Sequence, residues 1–102
     1  MGMAISYHSQ SVAITPGAAL SLGAKPLQLC GTEAQKRAHL PALARGERMF
    51  GCGLSEPGRG SDAANPEVTA VRRGSNWVIQ GEKCWSTNAR WASHVVVHAL
   101  TD

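Results

Sequence analysis

Long apolar runs, clustered charge and metal-spaced cysteines or histidines are all missing from this chain, and each absence closes a class of function. The N-terminal apolar stretch is broken by Ser9, Gln10, Ser11, Pro16, Gly17 and Lys25, so it lacks the ~20 continuous apolar residues of a membrane helix. No Lys or Arg stands among the first seven residues, which leaves a secretory leader without its charged start. A chain of the cytoplasm, or of the mitochondrial matrix if eukaryotic, is the expectation. Cys30, Cys52 and Cys84 are odd in number and far apart. Without CxxC spacing they offer neither a zinc site nor a redox dithiol, and half-buried reduced thiols are expected. The ten Lys and Arg residues give a net charge of only +3 and are scattered, a solvated surface rather than a nucleic-acid footprint.

Two catalytic constellations fail on similar grounds. His8, His39, His94 and His98 share no metal-ligand spacing. His94 and His98 would align only on a helix, whereas their Val-rich context predicts a strand. A hydrolytic triad of Ser61, His94 and Asp62 would need adjacent Ser and Asp to reach one imidazole from opposite sides, and no nucleophile-elbow motif accompanies them. No catalytic residue and no metal ligand is assigned to this chain.

At 102 residues the chain is the size of one small domain and buries a smaller share of its surface than a large enzyme does. Its pattern changes near residue 47. Residues 1–30, rich in Ala, Leu, Ser and Gly, are compatible with a buried helix interrupted at Pro16 and Pro26. Thr32 to Gln35 has capping-box spacing, which predicts a helix from there to about His39, with a further turn after Pro41 stopping at Gly46. Beyond residue 47 the runs are short and β-rich. A buried strand is expected over residues 49–55, an alternating one over 67–72, a tight turn at Gly74-Ser75-Asn76, and strands over 77–80, 83–87 and 94–100. Residues 56–66, with two prolines and two glycines, are the one long loop.

That loop, Leu54-Ser55-Glu56-Pro57-Gly58-Arg59-Gly60-Ser61-Asp62, has the composition of an anion cradle. Glycines on both sides of Arg59 free the backbone to bring N–H groups near a phosphate, and Ser61 adds a hydroxyl donor. Downstream stands Lys83-Cys84-Trp85-Ser86-Thr87-Asn88. On a strand Trp85 and Thr87 would share a face, a flat surface and a hydrogen-bond handle for a planar, partly polar ligand. On composition alone Gly58 and Gly60 read as turn formers and Trp85 as core. What reverses these readings is a family resemblance, which both blocks carry together and in order.

Three blocks resemble the acyl-CoA dehydrogenase family of flavoproteins: Gly31-Thr32-Glu33-Ala34-Gln35-Lys36-Arg37 through Leu40-Pro41-Ala42-Leu43-Ala44-Arg45-Gly46-Glu47, the Leu54–Asp62 loop, and Trp77 through Asn88. The resemblance is good over residues 31–102 and poor over 1–30. It implies an α+β fold in which residues 1–47 end an N-terminal helical domain and residues 48–102 begin a β-barrel-like middle domain. It also implies FAD as cofactor, acyl-CoA as substrate, an acceptor such as an electron-transfer flavoprotein, and a homo-oligomeric parent. Leu54 and Ser55 would run along the flavin edge. Gly60 and Ser61 would hold the pyrophosphate, with Ser61 also near the acyl-CoA. Trp85 would pack on the flavin face and Thr87 would donate near N5.

The implied reaction is α,β-dehydrogenation of an acyl-CoA thioester. None of Glu33, Glu47, Glu56, Glu67 or Glu82 matches the family's catalytic glutamate, so the chain alone is expected to be inactive. Its apolar run Val95-Val96-Val97 would then lie near an open sheet edge. An acyl-CoA oxidase relative and a non-catalytic remnant serving as a binding module are the alternatives. Arg59 and Ser86 depart from the family pattern. Arg59 would contact phosphate or face solvent, and Ser86 would point away from the flavin.

Overall fold

A computed structural model describes residues 2–101, and it separates into two compact units. The first comprises the chain up to Cys52 together with Thr87–Val96, and the second Gly53–Ser86 together with the residues from Val97 on. The mixture of helices and small antiparallel or paired strands is the α+β class expected.

The first unit opens with α1 (Gly2–His8) and α2 (Gln10–Ala18), followed by a π-helical segment (Ala19–Ala24) and α3 (Lys25–Cys30). Ser9 caps α2 by accepting from the Val12 amide at 3.3 Å. A single buried helix interrupted at its prolines was expected here, and the structure corrects this on both counts. Pro16 lies inside α2, where it removes one backbone bond without ending the helix. Pro26 falls in the first turn of α3, where its missing N–H costs nothing. The helices are also largely exposed, with Ala18, Ala19, Gly23 and Ala24 their buried residues. Val12, Ala13 and Ile14 follow one another and so circle α2 instead of forming the stripe that burial requires.

Helix α4 (Glu33–Ala44) begins as its sequence dictates. Thr32 Oγ1 accepts from the Gln35 amide at 3.2 Å, and the Gln35 side chain accepts from the Thr32 amide at 2.8 Å. Contrary to expectation α4 does not stop before Pro41 but carries it internally. Leu40 and Leu43, on either side of that proline, both join the core of Ala24, Leu27 and Phe50, so burial holds the helix together where propensity would break it. Phe50, 2% exposed, opens β1 (Phe50–Gly53), which pairs with β4 (His94–Val97). Gly23 permits the closest contact of this core, since a Cβ there would stand 2.5 Å from Phe50 Cβ. The turn at residues 87–91 packs on β1 through Gly51, where a Cβ would meet the Thr87 carbonyl oxygen at 3.2 Å.

The second unit is built on an antiparallel hairpin, β2 (Thr69–Arg73) with β3 (Asn76–Gln80), in the register Thr69 to Gln80 through Arg73 to Asn76. Its two-residue turn, Gly74-Ser75, has φ +63° at Gly74 and no left-handed Ser75, as the first central position of a type II′ turn demands. The expected alternation in this region holds only at its start, where Val68 and Ala70 are buried. From Val71 to Gln80 both faces are exposed. Leu100 pairs with the other edge of β2, its amide donating to the Val68 carbonyl and its carbonyl accepting from Ala70, both at 2.8 Å.

Residues 83–87 were expected as a strand and form none. Trp85 has φ +54° and Asn88 φ +67°, left-handed conformations that end any extended run. The Cys30 thiol, expected half-buried, is exposed, while Cys52 and Cys84 are half-buried. Among the described residues no helix is long and apolar enough to cross a membrane.

Candidate functional site

In the second unit the Leu54–Glu56 segment is tied to the Lys83–Cys84 segment by three bonds. Lys83 Nζ donates to the Leu54 carbonyl at 3.0 Å and to Glu56 Oε1 at 2.6 Å, and the Cys84 amide donates to the Ser55 carbonyl at 2.9 Å. Glu56 is fully engaged, because it also accepts from the Glu67 amide at 2.7 Å and the Val68 amide at 3.0 Å. Side-chain exposures of 3% for Glu56 and 10% for Lys83 make this a buried ion pair. The Lys83 ammonium and then the Val68 amide hold the Glu56 carboxyl at about 2, far below its usual value near 4.5, despite the opposing effect of burial. Sequence reasoning placed Glu56 in the loop but missed this role, since Lys83 lies 27 residues away.

This stitching brings together three of the expected site residues, Leu54, Ser55 and Trp85. Trp85 follows directly on the Cys84–Ser55 bond. Its indole is 89% exposed, and a bulky residue with φ +54° pays a conformational cost that the surrounding bonds must hold in place.

Gly60 and Ser61 are exposed in the loop that follows. The loop starts with a tight turn in which Glu56 and Arg59 exchange amide-to-carbonyl bonds of 3.0 and 3.1 Å. Neither Gly58 nor Gly60 has a positive φ, so glycine is not required there for backbone strain. A Cβ at either position would meet nothing within 4 Å, which leaves the Gly60 backbone open to an approaching anion. Ser61 has its hydroxyl without a protein partner among the described residues.

Arg59, expected to contact phosphate or face solvent, is half-exposed and engaged by two neighbouring carboxylates. Its Nε donates to Glu67 at 3.0 Å and its Nη1 to Asp62 at 2.8 Å, and the Glu67 bond is the main cause of its raised pKa. One guanidinium between two carboxylates leaves this loop with a net negative charge. The donors the loop leaves open are amides and the Ser61 hydroxyl, not a cation. A separate cleft of ≈ 560 Å³ in this unit, bordered by Glu56, Glu67, Gln80 and Glu82, contains none of the expected site residues.

Thr87 belongs to the first unit and is exposed. The shared strand face expected for Trp85 and Thr87 does not exist, because the left-handed Trp85 breaks the period of two. Beside Thr87, Asn88 anchors the turn. Its Nδ2 donates to the Thr15 carbonyl at 2.9 Å and the Phe50 carbonyl at 3.4 Å, and φ +67° suits Asn better than most residues. Ser86, in the second unit, faces Gly53, with its Oγ 3.8 Å from a Cβ placed there.

Trp85 thus stands exposed beside the tethered Leu54 and Ser55, and Gly60 and Ser61 stand open in the loop that follows. Comparison with known proteins gives the chain its family. Residues 51–102 match the acyl-CoA dehydrogenase middle domain and residues 1–47 the N-terminal domain of the same family. The chain belongs to the acyl-CoA dehydrogenase family. It is 48% identical over 91 residues to a probable acyl-CoA dehydrogenase of Bacillus subtilis, covering 89% of this chain and 24% of that protein. An acyl-CoA dehydrogenase of Bacillus anthracis, solved in complex with FAD, superposes with a TM-score of 0.84 at 41% identity, over 90% of this chain and 16% of the other. The butyryl-CoA dehydrogenase of Megasphaera elsdenii superposes at 0.83 with 38% identity, over 90% and 24%. The chain thus spans a quarter or less of the length of these relatives.

Proposed function

We propose that this chain supplies part of the cofactor site of an FAD-dependent acyl-CoA dehydrogenase, with residues 1–47 contributed to a helical domain and 48–102 to a β domain. The observation that carries the reading is Trp85, an exposed indole at φ +54° fixed by its neighbours to Ser55. A flavin ring would lie against this indole, its edge along Leu54 and Ser55. The pyrophosphate of FAD would sit at Gly60 and Ser61, where the backbone is open and the hydroxyl unengaged. Thr87 is assigned the donor to the ring from the family resemblance of the Lys83–Asn88 block alone.

FAD, when bound, supplies the hydride acceptor for α,β-dehydrogenation of an acyl-CoA thioester. The protein's share is to hold and orient it. Donors aimed at the ring stabilise the negative charge that arrives on reduction. Ser61 would serve substrate as well as cofactor. An electron-transfer flavoprotein is the acceptor that fits this chemistry, and the parent is proposed to be a homo-oligomer.

Purification of the protein carrying this chain, with chromatography of the released cofactor, tests the reading. FAD is the expected product. FMN alone, or a folded protein without flavin, would refute it.

A further inference from the structure

We propose that Glu56 and Lys83 are positioning residues that lock the Leu54–Ser55 segment and the Trp85 backbone into one cooperative body. The inference rests on the cofactor reading for its purpose but on local geometry for its substance. Lys83 Nζ is shared between the Leu54 carbonyl at 3.0 Å and Glu56 Oε1 at 2.6 Å. Glu56 in turn fixes the start of β2 through the Glu67 and Val68 amides. One carboxylate therefore joins the signature loop, the hairpin and the segment that carries Trp85.

The pairing also accounts for where the strand fails. For Lys83 to bury its stem, its Cγ must pass close to Gly53, where a Cβ would stand only 3.2 Å away. Lys83 is thus drawn inward, the Cys84 amide reaches Ser55, and the next residue takes the left-handed conformation that leaves its indole outside. A buried pair of this kind is costly to break on one side, because the surviving charge has no partner. Its specificity lies in that cost: in this arrangement no buried side-chain donor or acceptor among the described residues lacks a partner. A solvated loop and an unpaired Lys83 would let Trp85 relax out of its left-handed conformation, and the binding face would disperse.

Residue-resolved hydrogen exchange on the wild-type protein reads this directly. The amides of Glu67 and Val68 at the start of the hairpin and of Cys84 on a second segment are expected to open together, with protection alike within about threefold, as members of one cooperative unit do. Protection at Cys84 far below that at Val68 would overturn the proposal without any variant being made. In Glu56→Gln, which keeps the side-chain shape and loses the charge, exchange at Cys84 is expected to accelerate roughly ten- to a hundredfold, while the Val71 and Val78 amides of the hairpin stay unchanged. Trp85 backbone order should fall in parallel, and Lys83→Arg, which keeps the charge, should restore part of it where Lys83→Met does not. Uniform acceleration across the hairpin would mark a general structural role and refute positioning. FAD titration of the same proteins separates the two readings: a wild type that binds no FAD sinks the cofactor assignment alone, whereas binding that is equally tight in Glu56→Gln sinks the positioning role.

Discussion

The rings of His39 and His94 meet edge to face with centroids 4.5 Å apart, joining α4 to β4 beside the phenyl ring of Phe50. Arg48 approaches His39 Nδ1 at 3.3 Å, and Ser93 Oγ lies 3.1 Å from His94 Nδ1. Burial, then the charges of His39 and Arg48, push the His94 imidazole below its usual value near 6.5. Folding therefore favours its neutral form. The unfolded chain binds the proton more readily, so stability is lost as pH falls below about 6.5 and is fully present above it.

Urea midpoints measured from pH 7.5 to 5 should fall with acid in the wild type. His94→Phe keeps the ring contact and removes the proton, and it should flatten that slope. An equally steep slope in the variant would show that His94 is not the group responsible.

Glu56 predicts a second, more acid window. Its carboxyl titrates at about 2 in the folded protein against 4.5 ordinarily. The stability it contributes is present above pH 4.5 and is lost as pH falls toward 2. Glu56→Gln should be less stable than wild type at pH 7, with the gap between them closing across that interval. A gap that is constant with pH would mean that the pair with Lys83 is absent in solution.

Gly81 provides a purely steric test. It has φ +131°, and a Cβ there would stand 2.7 Å from Val68 Cγ2 and 3.0 Å from Val68 Cα. Gly81→Ala combines a forbidden conformation with a backbone clash and should cost about 2 kcal/mol or more. Gly58→Ala, with open space and no positive φ, should be within about 0.5 kcal/mol of wild type. Chemical denaturation of both variants measures the contrast, and equal effects would contradict it.

What could be read in the sequence was what is decided locally. The Thr32–Gln35 capping box depends on residues three apart and the Gly74-Ser75 turn on two adjacent ones, and both form as expected. The strand expected over 83–87 is not formed, and its first residue, Lys83, is bound instead to Glu56, 27 residues earlier. The same holds for Arg59, whose charge is taken up by Glu67 on the far side of the loop. Pro41 misled for the opposite reason: its local cost is real, but Leu40 and Leu43 recover it in the core. Of the candidate site, Leu54, Ser55 and Trp85 come together in the structure, Gly60 and Ser61 stand open in the same unit, and the roles of all of them toward FAD remain the proposal made above.

Anaerobic stopped flow on the flavin-loaded protein carrying this chain tests the proposed flavin role most directly. Mixing with acyl-CoA should bleach the flavin absorbance, and Thr87→Val should slow that bleaching by roughly one to three powers of ten, the loss expected for one positioned donor. Wild-type and Thr87→Val proteins that bleach at the same rate would contradict the account.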